Sequence, residues 1–193
     1  MKGLNKENFF FFADDCSSIE IVPNSVEHAY LAIINDDLVS AKKIFLNIDS
    51  PRAKWGSIFV SILEGYLKDF PTYFQLRNFM EIDIDFLIKN EKINYIEQFL
   101  GALDLLATIN QETYKFIGRV MFENKLYTAS LKYLEKAKQI YYNDPELHFL
   151  LAKYYLQAHN KQEALFYINE CLKLLPNYFP ALDIKQRIEE NSI

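Results

Sequence analysis

The chain has 193 residues, with 21 Lys and Arg against 26 Asp and Glu, which gives a net charge of −5 at pH 7. This mildly acidic balance argues against a nucleic-acid binder that relies on a basic surface. Half of the residues are hydrophobic, and 16 Phe, 13 Tyr and 1 Trp stand beside only 5 Gly and 6 Pro. With so few chain breakers and so many large apolar side chains, the composition predicts an all-α protein.

Residues 1–21 precede the first helical pattern and contain an aromatic cluster, Phe9, Phe10, Phe11 and Phe12. The cluster is too short for the apolar core of a signal peptide, and no segment approaches the ~20 apolar residues of a membrane span. We therefore expect a soluble, cytoplasmic chain. The cluster has two interpretations: it covers one end of the folded domain, or it docks on another protein.

From residue 22 onward, apolar residues recur every three or four positions, which is typical of amphipathic helices. Asn24 with Glu27, Ser50 with Pro51, and Asp144 with Pro145 have the residue types that begin helices. We predict ten helices, over residues 24–35, 38–48, 51–67, 72–89, 92–109, 111–124, 127–142, 145–158, 161–175 and 180–190.

The C-terminal half repeats itself after 34 residues, with small residues aligned on small ones and large residues on large ones. The aligned pairs include Gly118 with Ala152, Met121 with Tyr155, Phe122 with Leu156, Tyr133 with Tyr167, Leu134 with Ile168, and Ala137 with Cys171. Two helices that cross closely need small residues where their backbones approach. We therefore expect Gly118, Ala137, Ala152, Ala164 and Cys171 to be buried at such crossings.

This period and pattern resemble the tetratricopeptide repeat, whose consensus runs W-x2-L-G-x2-Y, then A-x3-F, with a closing proline. The best copy is 145–178, in which Leu151-Ala152 stand at the L-G pair, Tyr155 at the tyrosine and Pro176 at the end. The copy at 111–144 has Ile117-Gly118 at the same pair. The tryptophan position holds Tyr114 in one copy and His148 in the other, so we expect the histidine ring to be packed or to lie at an interface.

The resemblance implies an α-solenoid of antiparallel helix pairs, with the right-handed superhelix of that family, over residues 22–193. Its parts are degenerate units near 22–50 and 77–110, clear repeats at 111–144 and 145–178, an extra helix at 51–70, and a capping helix at 180–190.

The sequence contains no catalytic, cofactor-binding or metal-binding motif. Cys16 and Cys171 are far apart, the three histidines lack a metal spacing, and the glycines form no phosphate-binding loop. The strongest candidate for acid–base chemistry is the run Glu81-Ile82-Asp83-Ile84-Asp85. The repeat register favours structural ion pairs instead, because it places Glu81 beside Lys115 and Asp85 beside Arg119. We expect no enzyme activity and no cofactor.

In the family that the chain resembles, the first helix of each pair lines a concave groove that binds protein segments. The corresponding groove candidates are Glu81, Asp85, Lys115, Arg119, Phe122 and Lys153. The three basic residues resemble part of the set with which some family members bind acidic chaperone tails, but no matching asparagine accompanies them.

The resemblance implies a non-enzymatic scaffold or adaptor that binds a peptide or protein segment in its groove. The alternatives are a chaperone for a secreted or assembly protein, and a regulatory or recruiting subunit of an enzyme complex. We expect no nucleic-acid partner, and the sequence leaves homo-oligomerisation open.

Overall fold

The structure is a computed structural model, and it describes residues 22–190. Within that range all regular structure is helical, which confirms the all-α prediction. Phe9 to Phe12 and Cys16 lie outside the described residues. The helices are α1 (Val26–Ile34), α2 (Leu38–Leu46), α3 (Pro51–Leu63), α4 (Tyr73–Lys89), α5 (Ile93–Gly101), α6 (Leu103–Ile109), α7 (Thr113–Glu123), α8 (Tyr127–Ile140), α9 (Pro145–Gln157), α10 (Lys161–Leu174) and α11 (Phe179–Glu189).

Side-chain caps fix where several helices begin. The Ser50 hydroxyl accepts the Ala53 N–H at 3.1 Å, and Pro51 is the first residue of α3. Before α9, Asp144 accepts two backbone N–H groups and is followed by Pro145. Both caps were predicted, and both satisfy N–H groups that have no partner inside the helix.

The predicted cap at Asn24 is wrong, because Ser25 caps α1 and accepts the His28 N–H at 3.1 Å. Asn24 lies one residue earlier with a φ of 58°, in the left-handed region that asparagine tolerates better than most residues. The two residues are both good caps, so sequence alone did not separate them.

The predicted single helix over 92–109 is also wrong, because α5 ends at Gly101 and α6 begins at Leu103. Gly101 is exposed, and glycine weakens a helix because it loses more backbone conformational entropy on ordering than any other residue. The apolar stripe nevertheless continues across the break, with Ile96, Phe99, Leu103 and Leu106 all buried. Periodicity therefore predicted one helix where the backbone forms two.

The turns between paired helices show the 34-residue period directly. Glu91, Lys125 and His159 are 34 residues apart and adopt φ values of 56°, 62° and 57°. In each turn the left-handed residue donates its N–H three residues back, and the next residue donates five residues back. This is the hydrogen-bond pattern that closes a helix at its C-terminus. The period is therefore a property of the backbone as well as of the sequence.

The chain forms two compact units, and it passes from one to the other between Pro71 and Thr72, between Asp85 and Phe86 inside α4, and between Leu100 and Gly101. The described part of unit 1 comprises residues 22–71 and 86–100. Here α1, α2 and α3 pack in succession around aromatic side chains. Tyr30 meets Phe45 and Phe86 edge to face, at centroid distances of 5.3 and 5.2 Å. Phe59 packs between Trp55 and Phe99.

The described part of unit 2 comprises residues 72–85 and 101–190. Here α7 packs with α8, and α9 packs with α10. Each helix from α6 to α11 also contacts its neighbour along the chain, and α7 contacts α9. Such nearest-neighbour packing of helix pairs is the arrangement of a helical repeat solenoid.

Small residues sit at the close crossings of unit 2, as predicted. Ala137, Ala152, Ala164 and Cys171 are buried, and Gly118 is buried within α7. Ser130, which aligns with Ala164, is buried as well and donates its hydroxyl to the Gly118 carbonyl at 2.8 Å. The repeat thus tolerates a polar group at this crossing because the hydroxyl has an acceptor within reach.

We predict that Gly118→Ala lowers the free energy of unfolding by about 1–3 kcal/mol, the usual cost of overpacking. A Cβ at this position would lie 2.6 Å from Leu134 Cδ2 and 2.7 Å from Leu134 Cγ. The control is Gly101→Ala, where nothing lies within 4 Å of the added carbon. Urea denaturation of the two variants measures the difference, and equal stabilities would contradict this packing.

Candidate functional site

The groove candidates predicted from sequence all belong to unit 2, where α7 and α9 lie side by side. We call this region the α7–α9 surface. It consists of side chains from the two helices, from the residue before each of them, and from the part of α4 up to Asp85. These are Glu81, Asp85, Glu112, Lys115, Arg119, Phe122, Asp144, Glu146, Phe149 and Lys153.

Arg119 links the three helices of the surface. Its Nε and Nη2 donate to the two carboxylate oxygens of Glu81 at 2.6 and 2.8 Å, and its Nη1 donates to Glu146. Burial alone would lower the pKa of the guanidinium, but Glu81 and Glu146 outweigh it and raise that pKa above its usual value. The fork geometry of Arg suits such a two-point contact.

Lys115 is buried among three carboxylates. Its Nζ lies 2.7 Å from Glu112, 2.5 Å from Asp144 and 3.0 Å from Glu146, and only 4% of its side-chain surface is exposed. Burial opposes the charge, yet the hydrogen bonds that the ammonium donates to Asp144 and Glu112 raise its pKa well above the usual range. The ammonium is therefore charged at neutral pH, and its three N–H donors face three carboxylates.

Acidic and basic side chains do face each other here, but two of the predicted partners are wrong. Glu81 pairs with Arg119, 38 residues away, and not with Lys115. Asp85 accepts from the side-chain amide of Asn124 at 2.8 Å, and not from Arg119. The physical reason is that Lys115 is held by Asp144 and Glu146, which leaves Glu81 to the arginine one helical turn farther on.

Half-buried aromatic rings border the charged groups. The Lys153 ammonium lies 5.1 Å from the centre of the Phe122 ring, within the range of a cation–π contact. Phe149 and Tyr178 meet edge to face at 5.2 Å. Burial raises the pKa of Tyr178, and the charge of Glu146 raises it further, so this ring lies within the field of the Glu146 carboxylate.

Sequence reasoning missed Glu112, Asp144, Glu146 and Phe149 as members of the surface. Asp144 was interpreted as a helix cap alone, whereas its carboxylate caps α9 through Oδ1 and binds Lys115 through Oδ2. Glu146 follows the proline of the same cap. A sequence signal for these residues was present. The two helices pack with an offset along their axes, which places the acidic residues at the start of α9 beside the basic residues of α7.

His148 is a fully buried ring, as predicted. It meets Tyr142 edge to face at 4.7 Å and stacks on Tyr167 at 6.0 Å. Burial lowers its pKa from the usual 6.5, and nearby Glu170 and Asp144 oppose that effect. Cys171 is buried too, and desolvation raises the pKa of its thiol to about 11. Such a thiol stays protonated and acts as a small apolar side chain.

Residues 22–190 contain neither a candidate metal site nor a candidate membrane span. No group of three or more His, Cys, Asp or Glu in that part of the chain could hold a metal ion. None of the helices between residues 22 and 190 has both the length and the apolar character that crossing a membrane requires.

Residues 145–178, which comprise α9, α10 and the turn that follows, match the family model of the tetratricopeptide repeat. The chain contains a tetratricopeptide repeat. The match covers the segment that the sequence singled out as the best copy. A comparison with curated proteins finds no significant match.

We predict that Lys115→Met lowers the free energy of unfolding by about 3–5 kcal/mol, because it leaves partly buried carboxylates without their cation. Lys54→Met is the matched control, since Lys54 pairs with Asp49 at 2.7 Å but both side chains are largely exposed. We expect no measurable loss there. Chemical denaturation of both variants tests this, and a small effect at Lys115 would contradict the structural role of the cluster.

We also predict that His148 makes the fold sensitive to acid. Because its pKa is lowered in the folded state, the unfolded chain takes up the proton first as the pH falls. This contribution to stability is complete well above pH 6.5 and is lost as the pH falls through that value, by about 1.4 kcal/mol for each unit of pKa difference.

The measurement is the free energy of unfolding at pH 7.5 and 5.5. His148→Phe keeps an aromatic ring in the stack and should reduce the loss of stability between the two pH values. His159→Gln, at an exposed position in a turn, should leave that loss unchanged. An identical pH dependence in His148→Phe and the parent chain would refute this assignment.

Proposed function

We propose that this protein is an interaction scaffold that binds a segment of another protein on the α7–α9 surface. The tetratricopeptide repeat itself is a protein-interaction module, which supports the general role. The observation that carries the finer proposal is the combination, on one face, of half-buried Phe122 and Phe149 with the partly exposed carboxylate of Glu146. Aromatic anchors beside polar groups are characteristic of interfaces.

The charged network prepares this surface for binding. Arg119 joins α4 to α7 through Glu81 and joins α7 to α9 through Glu146. Lys115 adds a second link from α7 to Asp144 at the start of α9. Three helices held in this way form a surface that does not have to be ordered when a partner arrives, which reduces the cost of association.

The same network argues against the binding of acidic chaperone tails by these lysine and arginine side chains. A carboxylate ligand would have to displace Glu112, Asp144 or Glu146 from Lys115, which is almost fully buried. A role as a chaperone or as a recruiting subunit would use the same surface, so these alternatives differ from the scaffold only in the partner.

Selection of binders from a random twelve-residue peptide library, with the full chain as bait, tests the proposal. We expect a selected peptide to slow amide hydrogen exchange in α7 and α9. Phe149→Ala should weaken that peptide by about tenfold, a loss typical of an aromatic anchor. Phe166→Ala is the control, because Phe166 is also aromatic and half exposed but lies on α10, outside the α7–α9 surface.

The proposal fails if no peptide is selected, or if the selected peptides protect other helices. It also fails if Phe166→Ala weakens binding as much as Phe149→Ala does. Thermal unfolding of both variants ensures that a lost fold is not mistaken for a lost contact.

A further inference from the structure

The outward side of α2 in unit 1 carries apolar side chains. Val39, Lys43 and Leu46 follow one another at spacings of four and three residues, so they lie on one side of the helix. The buried residues of α2, on the opposite side, are Ala41, Ile44 and Phe45. Val39 and Leu46 are 60% and 68% exposed, so residues 22–190 leave most of their surface uncovered. We call Val39, Lys43 and Leu46 the α2 outer face.

This face needs a cover because α1 and α2 are the first helix pair of the described chain. The next helix, α3, contacts both members of the pair, and no helix precedes the pair within residues 22–190. In a stack of helix pairs each pair covers the apolar side of its neighbour, and a terminal pair requires a polar exterior. Exposed apolar side chains on such a pair therefore indicate a contact site.

The described chain begins next to the same face. Residues 35–37 join α1 to α2, and two helices joined by so short a loop run antiparallel. Tyr30 of α1 accordingly meets Phe45, near the end of α2, at a centroid distance of 5.3 Å. The start of α1 at Val26 therefore lies beside the end of α2 at Leu46, and the residues before α1 join the fold there.

Those preceding residues contain a matching occupant. Four phenylalanines occupy residues 9–12, which we call the phenylalanine run, and Asp14 and Asp15 follow them. The α2 outer face offers the complement, namely two apolar side chains with the ammonium group of Lys43 between them. Apolar area and opposite charge on both sides favour association of the two segments.

The covalent connection is long enough for this contact and favours it. Residues 13–21 span up to about 30 Å when extended, whereas α2, with 9 residues, is about 14 Å long. A link of this length holds the phenylalanine run at an effective concentration on the order of millimolar. The same segment of another molecule, at a lower concentration, would have to compete with it.

We propose that the phenylalanine run occupies the α2 outer face of its own chain. In this arrangement the rings cover Val39 and Leu46, and Asp14 and Asp15 approach Lys43. The contact removes two apolar surfaces from water at once and gives the first helix pair the polar exterior that a terminal pair requires. The proposal concerns unit 1 alone, so it is independent of the binding role of the α7–α9 surface in unit 2.

Urea denaturation of the full chain, followed by the fluorescence of Trp55, tests the contact. Trp55 is the only tryptophan of the sequence and is buried in α3, so its emission reports the unfolding of unit 1. The combined change Phe10→Ser and Phe11→Ser should lower the urea midpoint by about 0.5 M or more. Amide hydrogen exchange should become faster in α2 and stay unchanged in α10, which belongs to unit 2.

A double-mutant cycle shows whether the rings act through the α2 outer face. Leu46→Ser should lower the midpoint in the parent chain, and by less than half as much once Phe10 and Phe11 are serine, because the contact is already lost. Leu105→Ser is the matched control, since Leu105 is also an exposed leucine on a helix but belongs to unit 2. Its effect should be the same in both backgrounds. If the double Phe variant does not fold, Phe11→Ala takes its place in the cycle.

Three results would overturn the proposal. One is an unchanged midpoint after loss of the rings, as expected of a phenylalanine run that serves only to bind another protein. Another is additivity of Leu46→Ser with the loss of the rings. The third is a midpoint that rises with protein concentration, which would place the run on the outer face of a second copy.

Discussion

The ammonium group of Lys115 is charged in a place that water scarcely reaches, and unit 2 has to compensate for it. Removing a cation from water costs several kcal/mol unless carboxylates and hydrogen bonds replace the solvent. Glu112 comes from the turn before α7, and Asp144 and Glu146 come from the start of α9. The position of α9 beside α7 therefore determines whether this charge is tolerated, and through Arg119 the same constraint reaches Glu81 in α4.

The packing of small residues makes that position possible. Gly118 allows Leu134 of α8 to approach α7 closely, and Ser130 supplies a hydroxyl to the Gly118 carbonyl at the same crossing. In the matching repeat the equivalent residues are Ala152 and Ala164, which are small and buried but have no side-chain hydrogen bond to offer. Since a helix pair leaves an apolar face uncovered, each pair depends on the next one, and the ion cluster adds polar contacts between α7 and α9.

Local rules and the repeat predicted most of the helices. Two kinds of feature depend on the chemistry of only one or two positions and can therefore be predicted from sequence. These are the helix caps at Ser50 and Asp144 and the buried small residues. The break at Gly101 did not follow, because the apolar stripe from Ile96 to Leu106 is continuous across it.

The candidate site was less predictable than the fold. A 34-residue register places side chains at the same level of neighbouring helices, yet Arg and Glu side chains extend across a full helical turn. Glu81 could therefore reach either Lys115 or Arg119 on sequence grounds. Glu81 pairs with Arg119 because Asp144 and Glu146, at the start of α9, already bind Lys115. Which carboxylate binds which cation therefore depends on how the helices pack, and the sequence pattern alone does not give it.

The carboxylates around Lys115 connect the stability of unit 2 with the surface that we propose for binding. Within unit 2, Glu112, Asp144 and Glu146 all approach one ammonium group, so each is also close to the other two. Lys115, Arg119 and Arg77 offset their mutual repulsion, since Arg77 lies 3.2 Å from Glu112. A partner that binds only the folded α7–α9 surface would raise the free energy of unfolding. The groups that hold α7 against α9 would then be the same groups that respond to a partner, without any change in the helix packing.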